Sequence, residues 1–205
     1  SEVSLEVAAQ SLAQCDVVER VQFSTMVEAP KAQFAEVDPA EVAQTRSEEY
    51  PFDDPMLPLQ WHYRNLGLEA TFPNAKAGAD INLFPAWNQT AGRPDVIVAV
   101  VDEGIYHDHE DLKDNMYANE AELNGTDGID DDNNGYVDDV YGYNFVHGGR
   151  VTWSRNGDSG HATHVAGTVA AVNNNGIGVA GVAGGSGKGD GVKMISCQII
   201  SGGTA

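Results

Sequence analysis

The chain has 205 residues, with 31 acidic against 11 basic side chains and a net charge of −20; that length suits one domain, or a small domain plus part of a larger one. The charge argues against nucleic acid or an anionic membrane as partner, because phosphate binding needs clustered Lys and Arg. The longest uncharged apolar run, Val96 to Val101, is far shorter than the ~20 residues that span a bilayer. A soluble, secreted or cation-binding protein is expected, with no nucleic acid and no membrane among its partners.

Residues 4–15 carry Leu5, Ala8, Ala9 and Leu12 at helical spacing, and residues 20–27 alternate with Val21, Phe23, Thr25 and Val27 on one face, which predicts a helix and then a strand. Residues 29–53 hold Pro30, Pro39 and several acids with little apolar periodicity and read as a linker. Val96 to Val101 is apolar on both faces, the pattern of a buried parallel strand, and delivers Asp102 at its carboxyl end. Open α/β sheets place their sites there.

The run from Asp130 to Asp139 contains an Asp-x-Asp-x-Asn-Gly core. It matches the first half of a calcium loop, with oxygens at positions 1, 3 and 5, a sharp Gly turn at 6 and a carbonyl at 7. The predicted ligands are Asp130, Asp132, Asn134 and the Tyr136 carbonyl. Position 12 is Tyr141 rather than Glu, so Asp138 or Asp139 must close the site. So many carboxylates in so short a run repel one another unless a cation compensates them.

Further on, Asp158 and Ser159 are capping candidates for a helix with Val165, Ala166, Val169 and Val172 on its apolar side, which puts His161 on the first turn. A last strand is predicted over Val192 to Ile200. Cys15 and Cys197, in the first helix and the last strand, read as small buried hydrophobes rather than halves of a bridge.

Two segments, Val96-Ile-Val-Ala-Val-Val-Asp102-Glu-Gly-Ile105 and Gly160-His161-Ala-Thr-His164-Val-Ala-Gly-Thr-Val-Ala-Ala171, together resemble the Asp and His motifs of the subtilisin-like serine proteases, in that family's chain order. The resemblance covers residues 54–205, including Ile81 to Trp87 as the first helix. It implies an α/β fold with a mainly parallel sheet and helices on both faces, incomplete here. It also implies a serine endopeptidase acting on protein and peptide substrates through an acyl-enzyme. His161 would be the general base and Asp102 its orienting acid. The family's Gly-Thr-Ser-Met-Ala motif and its oxyanion Asn are not found, so the chain is expected to be the front part of a protease, inactive alone.

By the same resemblance, residues 1–28 look like the last part of a small α+β prodomain, an intramolecular inhibitor, and residues 29–53 like the region where the proprotein is processed. A secreted or cell-envelope enzyme with structural Ca2+ is implied. Asp111 and Asn174 fall where a second family calcium site would lie. Glu103 and Ala162 depart from the usual Ser or Thr and Gly. Two other readings remain open: a non-catalytic calcium-binding or adhesion module on the same fold, and a metallohydrolase built on His107, His109, His161 and His164.

Overall fold

The computed structural model describes residues 50–67, 74–155 and 160–200. The helix and strand expected within residues 1–28, Cys15 and most of the linker lie outside them. Three strands, β1 (Ile97–Asp102), β2 (Gly142–Asn144) and β3 (Lys193–Gln198), form one parallel sheet in the order β1-β3-β2. Among the described residues three α-helices accompany it: α1 (Leu83–Trp87), α2 (Glu120–Leu123) and α3 (His161–Ala170).

One face of the sheet carries Val98, Val100 and Asp102 on β1, in register with Met194, Ser196 and Gln198 on β3. Helix α3 lies on this face, because its own buried side is made of Ala162, Ala166, Gly167 and Ala170. These small residues bring the helix close, and the methyls of Ala162, Ala166 and Ala170 join Val100, Ile105, Leu112, Met116 and Met194 in the main core. The opposite face holds Ile97, Ala99 and Val101, aligned with Lys193, Ile195 and Cys197. Among the described residues it is uncovered: Ile97 and Val101 are 50% and 59% exposed. The two-sided burial expected of this strand is therefore met on one face only.

A second apolar cluster gathers Leu57, Tyr63, Leu83, Trp87 and Ala180, with Tyr50 and Phe52 packed against it. The folded body thus takes in residues that composition assigns to the linker, and the Phe52 ring lies 4.9 Å from that of Trp87. Gln60 joins this cluster to the loop after α3, its amide exchanging two hydrogen bonds of 2.8 and 2.9 Å with the Ala180 backbone.

Candidate active site

Asp102 ends β1 on the face turned toward α3, and His161 opens α3. The helix is entered through Gly160, whose φ of 77° is left-handed and easy only for glycine. The N-cap residue, Gly160, offers no side-chain cap, and the capping candidates Asp158 and Ser159 lie outside the described residues. His161 Nδ1 stands 2.8 Å from Asp102 Oδ2. An ionised carboxylate only accepts, so against it Nδ1 carries the hydrogen, the tautomer that in a neutral ring leaves the lone pair on Nε2. The second Asp102 oxygen accepts the Glu103 N–H at 2.7 Å.

The loop after Asp102 is held from several sides. The Ile105 N–H donates to Ser196 Oγ at 3.2 Å, and the Tyr106 N–H to Thr163 Oγ1 at 3.0 Å. A methyl on Gly104 would collide with the Thr152 carbonyl oxygen, while the Thr152 N–H donates to Gln198 Oε1 at 2.9 Å. Asp102, Gln198 and Asn144 form one row across the carboxyl ends of the three strands. Glu103, the departure beside the acid, is buried.

The other histidines of the metallohydrolase reading have separate surroundings. His164 is exposed on the same turn, His107 stacks on Tyr141 with its Nδ1 at 3.2 Å from Asp108, and His109 Nδ1 accepts the Asp111 N–H. Beside α3 runs a cavity of about 470 Å³ whose walls include Gly160, Thr163, Gly167, Tyr106 and Trp153.

Among the described residues, one group of three acidic or metal-ligating side chains has its ligand atoms within 4.8 Å of one another: Glu122, Asp130 and Asp132. Calcium–oxygen distances of about 2.3–2.6 Å place ligands on opposite sides of the ion at most about 5 Å apart, so the spacing fits such a cation. Asp130 accepts the Asn134 and Gly135 N–H groups, and Asn134 donates from its amide to Asp132 and Asp139. The Asn119 amide bridges Asp132 and Asp139 at 2.8 Å each and holds the Asp132 carboxyl below its usual range. Asp138, in a left-handed turn, instead engages the Gly128 N–H and Arg150, both at 3.0 Å. The Tyr136 ring packs at the sheet end against Tyr143 and Phe145.

Glu122 escapes sequence reasoning because it precedes the acidic run by a helical turn and a loop. It is nevertheless the loop's anchor, accepting the N–H groups of Asp131, Asp132 and Asp138. Asp111 and the loop after α3 also meet, with Asp111 accepting from the Asn175 amide and the Val179 N–H. Beside them Asp54, 2% exposed, accepts the Asn174 N–H through one oxygen, while the other is buried with no partner among the described residues. Burial pushes the Asp54 carboxyl up to about 6 and raises that of Asp111. Asn174 turns its own side-chain oxygen to the Asp53 N–H. No pattern in the sequence links Asp54 to a loop some 120 residues away.

Fold and site define an α/β protein with an acid at a strand's carboxyl end hydrogen-bonded to a histidine at a helix start. Residues 93–189 match the Subtilase family, and the chain belongs to that family. It is 51% identical over 85 residues to subtilisin-like protease 1 of Plasmodium berghei (strain Anka), covering 42% of this chain and 14% of that protein. Over 183 residues it is 35% identical to the extracellular basic protease of Dichelobacter nodosus, covering 86% of this chain and 26% of that one. The crystal structure of the Aeromonas sobria serine protease with its chaperone is similar at a TM-score of 0.50 and 28% identity, over 74% of this chain and 21% of that one. The chain thus spans about a quarter or less of the length of these relatives. Among the described residues no helix is long and apolar enough to cross a membrane.

Proposed function

We propose that this chain is the acid- and base-bearing part of a secreted serine endopeptidase whose hydroxyl nucleophile and oxyanion donors come from a portion of the polypeptide beyond these 205 residues. The observation that carries the reading is the 2.8 Å contact between His161 Nδ1 and Asp102 Oδ2. A serine hydroxyl is a poor nucleophile until a base takes its proton during attack. His161 Nε2 is that base, later returning the proton to the leaving amine. Asp102 fixes the tautomer and stabilises the imidazolium formed on the way. The extracellular naming of the Dichelobacter relative supports secretion. Residues 1–28 are assigned to a prodomain remnant that inhibits the enzyme in cis, and residues 29–53 to the segment where processing occurs.

Calcium is the structural cofactor of this reading, held at the acidic loop by Asp130, Asp132 and Glu122, with Asn134, the Tyr136 carbonyl, Asp138 and Asp139 as the remaining candidates. A second site is assigned to Asp111 and Asn174 with Asp54 added, because the unpartnered buried oxygen of Asp54 calls for a cation. At each site the ion supplies positive charge that offsets crowded carboxylates and ties loop to loop.

The test uses the longer gene product. It is expected to hydrolyse casein and to be labelled by a fluorophosphonate, with His161→Ala lowering kcat by roughly 10⁴- to 10⁶-fold. The 205-residue chain alone is expected to do neither. Labelling of the short chain, or full activity of His161→Ala, would overturn the assignment.

A further inference from the structure

Asp102 and His161 are 59 residues apart in sequence and sit on different elements, so something must align the helix with the strand end. Apolar packing brings them near each other: Ala162, Ala166 and Ala170 lie against Val100, Ile105 and Met194. Methyl contacts have little directionality, however, and tolerate a small slide or rotation of the helix. Hydrogen bonds do not, since they weaken steeply away from linearity. The loop carrying the acid is fixed to β3 by the bond from the Ile105 N–H to Ser196 Oγ. The next amide, that of Tyr106, donates at 3.0 Å to Thr163 Oγ1, two residues after His161 on the same helical turn.

We propose that Thr163 is a positioning residue: by accepting the Tyr106 N–H it locks the histidine's turn of α3 to the acid's loop and so sets the alignment of the Asp102–His161 pair. Thr163 touches neither reacting atom and acts through His161. The inference rests on the hydrolytic reading above. It adds a residue whose hydroxyl, rather than its size, matters for the rate.

The experiment uses the longer protease with Thr163→Val, which keeps the shape and removes the acceptor, and Thr163→Ser, which keeps the acceptor. Misalignment by a fraction of an ångström is expected to lower kcat of Thr163→Val by roughly 10- to 100-fold with KM changed less than about 2-fold. The low-field proton resonance of His161 Nδ1–H should weaken or move upfield in the same variant. Thr163→Ser should restore the resonance and return kcat to within about 3-fold of the parent, because the bond is remade. If Thr163→Val does not fold, Thr163→Ala carries the same outcomes, since it removes the same acceptor from a helix that favours Ala. Parent-like kcat and resonance without the hydroxyl, or a Thr163→Ser as impaired as Thr163→Val, would overturn the inference. A parent protein that no fluorophosphonate labels would instead overturn the hydrolytic reading on which it rests.

Discussion

Asp54 shows how burial can make one side chain a liability. Its carboxyl is pushed up to about 6 from 3.8, chiefly by burial and further by Asp111 nearby. A raised acid is protonated more readily in the folded state, so its ionisation works against folding. The penalty is absent below about pH 4, grows as the pH climbs to about 6, and reaches roughly 3 kcal/mol at neutrality. In chelator, Asp54→Asn is therefore expected to be more stable than the parent at pH 7, by about 1–3 kcal/mol, with the difference closing near pH 4. In calcium the order should reverse, because the variant loses a charged ligand. Urea denaturation of both proteins across that pH range checks this, and a variant less stable in chelator at pH 7 would count against it.

The elements tell apart what is legible in a sequence from what is not. The strand ending at Asp102 and the helix beginning at His161 are visible because both are long apolar patterns with the candidate site residue at a defined end. The last strand is visible for the same reason and shortens only to Lys193–Gln198. By contrast β2 is three residues, Gly-Tyr-Asn, too short to show alternation. It exists because Gly142, at a φ of 114°, lets the backbone pass where a methyl would strike Ser196 O. The acidic loop is legible by spacing, yet its anchor Glu122 is not, since the bonds it accepts come from residues 9 to 16 positions away. Glu122→Gln keeps the size but gives up an acceptor oxygen and a negative charge. It is expected to weaken calcium binding at least about tenfold by calorimetry, although it lies outside the motif; unchanged affinity would remove Glu122 from the site. At α3 the fully buried Ala166 leaves no room for a longer side chain. Ala166→Leu should cost about 1–3 kcal/mol in urea denaturation, and a neutral result would mean that the helix is less tightly seated than its contacts indicate.

At the scale of the molecule, one side of the sheet is left uncovered among the described residues, with Ile97 and Val101 exposed on it. Ile97, Ala99 and Val101 lie on β1, an edge strand in the order β1-β3-β2. An apolar stretch on an edge strand is a template for association, and the charge beside it on this face, Lys193, belongs to the neighbouring strand rather than to the edge itself. Expressed alone, the 205-residue chain should sediment as a concentration-dependent mixture, and Val101→Lys should shift it toward monomer with an unchanged circular-dichroism spectrum. A monodisperse parent monomer would show that something else shields this face. The segment around Asp53 and Asp54 has a different role. It reaches across to Asn174 and Gly176, closing a chain loop of roughly 120 residues at an entropic cost of about 4 kcal/mol. Contacts so far apart in sequence tend to form late on the folding route. An ion seated there would stabilise the native state more than the transition state, so calcium should slow unfolding while leaving the refolding rate nearly untouched. The ion would then act as a timer on persistence, setting how long the molecule lasts rather than how quickly it assembles.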